Sequence, residues 1–131
     1  MTEIPCVGAV VLDAGGRILL VRRANPPAQG QWSIPGGRVE PGETHEAAVV
    51  RELLEETEVR AVVDREVGTV LRPAPGGGTY VIRDYLLIAP ADALAVAGDD
   101  AADVAWVAPA ELSQWDTSTG LVEALAEWGL I

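Results

Sequence analysis

The stretch from residue 37 to residue 59, GRVEPGETHEAAVVRELLEETEV, constrains this chain more than any other part of its sequence. The turn-forming Gly and Pro residues stop at Gly42, and the run 44–58 that follows contains neither and is rich in Ala, Leu, Arg and Glu. These residue types favour a helix. The sequence therefore predicts a glycine-rich turn that leads directly into an amphipathic helix over residues 44–58.

Three glutamates of this predicted helix, Glu52, Glu55 and Glu56, share one side because they are spaced i, i+3 and i+4. Like charges at that spacing repel, and no Lys stands on this face to offset the repulsion. A divalent cation would remove the conflict, and Mg²⁺ prefers such carboxylate oxygens together with substrate phosphates. The alternative is a solvated acidic face. Helical periodicity places His45, Ala48 and Val49 on the carboxylate side and predicts a packing side made of Ala47, Val50, Leu54 and Thr57.

The whole stretch resembles the Nudix box, whose pattern is Gly, five residues, Glu, seven residues, Arg-Glu, an aliphatic residue, any residue, Glu-Glu, any residue, Gly and an aliphatic residue. The chain meets every fixed position but one, with matches at Gly37, Glu43, Arg51, Glu52, Leu53, Glu55, Glu56 and Val59. Charged and glycine positions fixed at such long spacings leave little room for a chance match. The chain therefore resembles the Nudix hydrolases.

The one departure from the pattern is Glu58, which stands where the family has glycine. That glycine ends the helix in a left-handed conformation, in which a residue with a Cβ suffers a steric penalty. With Glu58 in place, the helix either continues or ends at a strained position. Neither outcome touches the predicted metal ligands, so we expect an effect on stability or loop position and none on the chemistry.

The resemblance implies hydrolysis of a nucleoside diphosphate linked to another moiety, with Mg²⁺, or alternatively Mn²⁺, as cofactor. The implied metal ligands are Glu52, Glu55, Glu56 and a backbone carbonyl at Gly36 or Gly37. At i, i+4 from Glu55, Arg51 is placed to orient that carboxylate. A general base is also required, and the candidates are Glu55 and an acidic residue of the loop 99–103, with Asp103 placed where many relatives have an acidic residue.

Substrate specificity depends on residues outside the box. The segments GQWSIPGG, TYVIRDYLL and GDDAADVAW are similar to those of the bacterial ADP-ribose pyrophosphatase-like branch of the family. Arginines can bind phosphate and aromatic rings can stack on a base, which makes the substrate-binding candidates Arg23, Trp32, Arg38, Tyr80 and Arg83. Two alternatives stay open: a pyrophosphohydrolase for oxidised nucleoside triphosphates, and a nucleotide-sensing Nudix module that does not turn its ligand over.

Composition limits the remaining classes of protein. A chain of 131 residues with 49% hydrophobic content is expected to form a single domain over residues 1–131. A net charge of -11 argues against nucleic acid and anionic membranes as partners, because both require a basic face. No apolar run approaches the length of a membrane span, and the start resembles no signal peptide, so we expect a cytoplasmic protein. Cys6 is the only cysteine and is expected in the core.

The order of predicted elements indicates an α/β fold. Residues 7–12 and 17–22 are predicted as a hairpin at the centre of a sheet, 32–34 as a short strand, and 61–67, 68–72, 79–88 and 103–107 as further strands. A helical turn is predicted at 109–112 and a last helix from Ser118 or Thr119. The expected fold is an α/β/α sandwich of the Nudix type, with a mixed sheet between helices. The resemblance to the ADP-ribose pyrophosphatase-like branch, together with apolar strands near the N-terminus, leads us to expect a homodimer.

Overall fold

The computed structural model describes residues 2–131. Strands β1 to β7 span Glu3–Leu12, Ile18–Arg23, Trp32–Ser33, Gly36–Arg38, Val62–Pro73, Thr79–Ile88 and Ala101–Val107. Helices α1 and α2 span His45–Thr57 and Leu121–Glu127, and a 3-10 helix spans Pro109–Gln114. Within residues 2–131 no helix has the length and apolar character needed to cross a bilayer.

Strand β1 organises the sheet, whose main order is β3-β2-β1-β6-β5. It runs parallel to β6 over its whole length, from Glu3 beside Thr79 to Leu12 beside Ile88. It also pairs antiparallel with β2 and β4, while β7 pairs with β2. The stretch 6–11 of β1 is buried without interruption instead of alternating with exposed residues. Such a pattern is expected of a strand covered on both faces.

Helices cover the two faces of the sheet and produce two apolar clusters. One joins α1 to the sheet through residues such as Val49, Leu53 and Tyr85. The other joins α2 and the 3-10 helix to the opposite face through residues such as Leu20, Leu112 and Leu125. The predicted α/β/α sandwich with a mixed sheet is therefore confirmed.

Several predicted boundaries differ from those observed. Strand β1 begins at Glu3, ahead of the predicted residue 7. Residues 61–67 and 68–72 were expected as separate strands, but β5 is continuous and accommodates irregularity through register shifts after Val63 and Glu66. Helix α2 begins at Leu121, later than predicted, because Gly120 with φ of 85° forms its N-cap.

The predicted packing side of α1 is wrong in part. The buried residues of this helix are Ala48, Val49, Leu53 and Thr57. Val50, which was expected to pack, is 38% exposed. Since Ala48 and Val49 lie on the same side as Glu52 and Glu56, the edge of the carboxylate face turns toward the sheet. This orientation is what partly buries two of the glutamates.

Helix α1 ends at Glu58, which has φ of 60° and ψ of 12°. Of the two outcomes expected for this position, the structure therefore has the left-handed cap. The loop that follows β6 satisfies carbonyls that the end of a helix would leave unpaired. The backbone N–H groups of Val96, Gly98 and Asp99 donate to the carbonyls of Thr57, Glu56 and Glu55 at 2.8, 2.8 and 3.1 Å. These bonds hold the loop 96–99 against the carboxylate-bearing end of α1.

Candidate active site

A cleft of about 760 Å³ opens beside the glycine-rich turn. Its polar wall comes from β4, α1 and the loop ends, and its apolar wall comes from β6, β5 and α2. The residues that line the cleft include Gly8, Arg23, Gly36, Gly37, Arg38, Glu52, Glu56, Val70, Arg72, Tyr80, Ile82, Asp84, Asp100, Leu121, Ala124 and Trp128. A cleft of this size can enclose most of a nucleotide.

Glycines bring the backbone of β4 against the carboxylates of α1. The backbone N–H of Gly36 donates to Glu56 Oε2 at 3.0 Å. A Cβ on Gly37 would stand 2.5 Å from the Glu52 carboxylate, and a Cβ on Gly36 would collide with the carbonyl of Val7. No larger residue fits at either position without a shift of its neighbours. The turn therefore brings its backbone against the carboxylates of Glu52 and Glu56 in the wall of the cleft.

Arg51 connects the carboxylates of the box. Its guanidinium donates to both oxygens of Glu43 at 2.7 and 2.9 Å and to Glu52 Oε1 at 2.9 Å. It reaches both oxygens of Glu55 only at 3.3 Å, and it also donates to the carbonyl of Arg38 at 3.0 Å. The predicted contact with Glu55 is present, but the strongest pairing is with Glu43, a fork of charge-assisted hydrogen bonds. Arg51 thus joins α1 to both ends of the preceding turn.

The carboxylates of the box differ in their electrostatic surroundings. Hydrogen bonds from Arg51 lower the pKa of Glu43 to about 2. Burial raises the pKa of Glu56 to about 8, against the opposing effect of the Gly36 N–H. Burial also raises the pKa of Glu52, although Arg51 acts in the opposite direction. Glu52 and Glu56 therefore lie where a cation would stabilise their ionised forms.

The donor set fits a hard divalent cation. Glu56 forms no ion pair with any residue of the described chain, 2–131, although its side chain is partly buried. Its oxygens, those of Glu52 and the nearby backbone carbonyls are the ligands that Mg²⁺ or Mn²⁺ prefers. As the side chains stand, no three His, Cys, Asp or Glu residues within 2–131 converge on one point. Arg51 binds Glu52 and Glu55 at the same time and occupies the position between them.

The predicted substrate-binding residues divide into two groups. Arg23, Arg38 and Tyr80 line the cleft, and the Arg38 guanidinium lies 5.7 Å from the centre of the Tyr80 ring. Trp32 lies outside the lining and packs edge to face on Trp115, with ring centres 4.8 Å apart. Arg83 faces the α1 side of the sheet, where it donates to both oxygens of Glu66 at 2.8 and 3.1 Å. The structure therefore brings only three of the five together.

The two predicted general-base candidates occupy different places. Glu55 is on the exposed rim next to Arg51, with 44% of its side chain exposed. Asp103 lies on β7 opposite Arg22, and its side chain accepts a hydrogen bond from the N–H of Val104 at 2.8 Å. Asp100, also in the loop 99–103, lines the cleft and accepts a hydrogen bond from Asn25 at 2.9 Å. Of the acidic residues in that loop, Asp100 faces the cleft and Asp103 does not.

Sequence reasoning missed Asp84, a buried carboxyl in the wall of the cleft. A single acidic residue inside the apolar run of β6 was the available signal. Its significance depends on the pairing of β1 with β6, which places Asp84 beside Gly8.

Comparison with known proteins agrees with this geometry. The NUDIX domain profile matches residues 2–127. The chain belongs to the Nudix family. It is 38% identical over 103 residues to a Bacillus subtilis protein provisionally named 8-oxo-dGTP diphosphatase, covering 79% of this chain and 65% of that protein. It is 37% identical over 91 residues to an ADP-ribose pyrophosphatase of Methanocaldococcus jannaschii, covering 70% of this chain and 54% of that relative.

Solved structures share this Nudix fold across nearly the whole chain. The crystal structure of a MutT protein from Methanosarcina mazei superposes with a TM-score of 0.85 at 22% identity, covering 97% of this chain and 93% of that one. At this identity the likeness concerns the fold alone. The chain spans about two thirds or less of the length of the two curated relatives described above.

Proposed function

We propose that this Nudix protein hydrolyses a nucleoside diphosphate linked to another moiety, of the ADP-ribose type, by attack of water on phosphorus with Mg²⁺ or Mn²⁺ as cofactor. The observation that carries the proposal is the meeting of Glu52, Glu56 and the backbone of Gly36 and Gly37 in the wall of a cleft of nucleotide size. The retained charged residues of the Nudix box and the names of the relatives support this proposal.

Different residues of the chain are assigned to binding the cation, the phosphates and the base. Glu52, Glu55, Glu56 and a carbonyl at Gly36 or Gly37 would hold the cation. When bound, such a cation neutralises diphosphate charge and lowers the pKa of a bound water. Arg23 and Arg38 lie in the cleft wall, where they can bind phosphate oxygens. Tyr80 offers a ring face beside Arg38.

Glu55 is our candidate for the general base. Its carboxylate is exposed at the rim and is oriented by Arg51, whose guanidinium is itself held by Glu43. A base must reach the attacking water and be able to release the proton afterwards, and an exposed carboxylate meets both requirements. The other candidates were the acidic residues of the loop 99–103, of which Asp103 lies on β7 and Asp100 already accepts a hydrogen bond from Asn25. Glu55 is preferred because Arg51 holds it beside Glu52, one of the proposed metal ligands.

A second candidate function is the hydrolysis of oxidised nucleoside triphosphates. It uses the same cation and diphosphate site and differs only in the base pocket. The Bacillus subtilis relative, provisionally named for 8-oxo-dGTP, favours this candidate. A sensing module without turnover has less support, because Glu43, Arg51, Glu52, Glu55 and Glu56 are all retained.

The test is a panel of ADP-ribose, NADH, diadenosine polyphosphates, sugar nucleotides and oxidised dNTPs, each with Mg²⁺, Mn²⁺ or EDTA. Phosphomonoester products are detected with an added phosphatase, and pyrophosphate with a pyrophosphatase. We expect cleavage of at least one compound with either metal and none in EDTA. The Glu56→Gln variant serves as the matched inactive protein. A panel in which no compound is cleaved, or in which EDTA leaves the rate unchanged, would refute the proposal.

A further inference from the structure

Asp84 is a buried carboxyl in the cleft lining that the proposed chemistry does not use. It lies on β6 directly beside Gly8 of β1, and only 3% of the residue is exposed. Its Oδ1 has no hydrogen-bond partner anywhere in the described chain, 2–131. It occupies the space above Gly8, because a Cβ on that glycine would collide with Oδ1. The absence of a side chain at Gly8 therefore gives the carboxyl its place in the wall.

The burial of this carboxyl is offset only in part. Burial raises the pKa of Asp84 to about 7, although the charge of Arg72 acts in the opposite direction. The guanidinium of Arg72 donates instead to the carbonyls of Leu71 and Thr119, at 2.9 and 3.5 Å. A buried polar group without a partner is costly, and because Asp84 lines the cleft, a ligand that donates to its carboxyl would offset that cost.

The surroundings of Asp84 indicate what kind of donor the cleft accepts. Val70, Ile82, Leu121, Ala124 and Trp128 line the same cleft, so the carboxyl lies in a largely apolar and partly aromatic wall. A planar ring system fits such a wall, and its orientation is then set by a few polar groups. A single carboxyl provides too few ligands for a metal ion. Amino groups and protonated ring nitrogens on the edges of nucleobases are the matching donors, whereas ring carbonyls would repel the carboxylate.

We propose that Asp84 is a specificity-determining residue that accepts a hydrogen bond from the exocyclic amino group of a purine. The inference rests on the proposed nucleotide function and adds the class of base to it. Adenine and guanine carry this group at different positions, and hypoxanthine lacks it. The preference for an amino purine is therefore separate from the handling of the diphosphate, in which Asp84 takes no part.

The test measures binding without turnover. AMP, GMP and IMP are titrated by NMR into the wild-type protein in EDTA, since the three ligands share their sugar and phosphate and differ only in the base. We expect AMP or GMP to bind about tenfold more tightly than IMP, because IMP lacks the exocyclic amino group and retains only its ring N1–H as a donor on that edge. The nucleotide that binds more tightly, AMP or GMP, shows whether the amino group of adenine or that of guanine donates to Asp84.

The variant Asp84→Ala should bring the dissociation constants for AMP, GMP and IMP to within about twofold of one another. Asp116→Ala makes the same substitution at an exposed aspartate outside the cleft lining and should keep the wild-type preference. Equal binding of the three nucleotides by the wild type, or an unchanged preference in Asp84→Ala, would overturn the inference. Should Asp84→Ala fail to fold, Asp84→Asn serves instead: its amide can also donate to the carbonyl of hypoxanthine, so the preference for AMP or GMP over IMP should narrow, and an unchanged preference would overturn the inference. Because no metal is present, loss of hydrolysis and loss of base preference are separate results.

Discussion

The two walls of the cleft are built in opposite ways. In the wall formed by β4 and α1, the polar groups meet partners from the same short segment, as when Arg51 binds Glu43 and Gly36 binds Glu56. In the wall formed by β5, β6 and α2, apolar side chains surround Asp84, whose Oδ1 has no partner within residues 2–131. The first wall is locally encoded and charged. The second is assembled by strand pairing and holds one unsatisfied acceptor, which suits it to selecting a ligand.

The largest expected effect lies in the charged wall. Glu56→Gln should lower kcat by roughly 10³-fold or more while the fold stays intact, because it removes a charge that the cation requires and adds no bulk. The change is checked by turnover of the best substrate and by circular dichroism. Glu46→Gln, on the exposed side of the first turn of α1, makes the same charge change and should retain activity. Activity of Glu56→Gln within a few-fold of wild type would remove the metal assignment.

In the apolar wall, we expect the substitution of Asp84 to change the stability of the protein. The pKa of Asp84 is raised to about 7 in the folded protein from an ordinary value of 3.8. The folded state therefore binds its proton more tightly, and the cost of burying the charge is absent below pH 4 and fully present above pH 7. Asp84→Asn avoids that cost, so it should be more stable than wild type at pH 8 by roughly 2 to 4 kcal/mol.

Urea unfolding of wild type and Asp84→Asn at pH 4 and pH 8 measures this difference. The advantage of the variant should shrink toward zero at the lower pH. Asp116→Asn, which removes an exposed charge, should show no comparable pH dependence. A variant that is less stable than wild type at pH 8 would mean that the carboxylate has a stabilising partner, and the contrast between the two walls would fail.

Arg51 tests how rigidly the charged wall must be held. Arg51→Lys keeps the charge but cannot reproduce the two bonds to Glu43 together with those to Glu52 and Glu55. We expect kcat to fall about 10- to 100-fold with a smaller change in KM, since residues that orient metal ligands have effects of this size. Steady-state kinetics would contradict this if the variant matched wild type.

The smallest expected effect is at Glu58. Because this residue has φ of 60°, Glu58→Gly should stabilise the protein by about 1 kcal/mol, as glycine has no Cβ penalty and the charge at the helix C-terminus is removed. Turnover should change little. Glu46→Gly, inside the same helix, should instead destabilise by a similar ~1 kcal/mol. Thermal melts compare the two, and a tenfold change in turnover for Glu58→Gly would make Glu58 a functional residue.

The charged wall could be predicted from sequence because its information is local. The spacing of Glu52, Glu55 and Glu56 sets their common side once the segment is helical, and the glycines of the turn precede them directly. The packing side of α1 was predicted wrongly because periodicity defines the faces of a helix without saying which one meets the sheet. Val49 and Val50 are both apolar. The way in which α1 packs on the sheet buries Val49 and leaves Val50 exposed.

The apolar wall could not be predicted in the same way. Arg83 and Asp84 are neighbours in β6, so they point to opposite faces of the sheet. Arg83 was expected in the site and Asp84 was not, because the choice of face depends on how β6 pairs with β1 and on which helix covers each side. These are contacts between residues far apart in sequence. The place of Asp84 above Gly8 is therefore visible only in the folded chain.

The most direct test of the central claim follows the oxygen of the attacking water. ADP-ribose and 8-oxo-dGTP are each incubated with the protein and Mg²⁺ in H₂¹⁸O, and the products are examined by ³¹P NMR and mass spectrometry. We predict that at least one compound is cleaved and that a single ¹⁸O appears on phosphorus in one product. Cleavage with ¹⁸O on a sugar carbon, or no cleavage of either compound, would contradict the account.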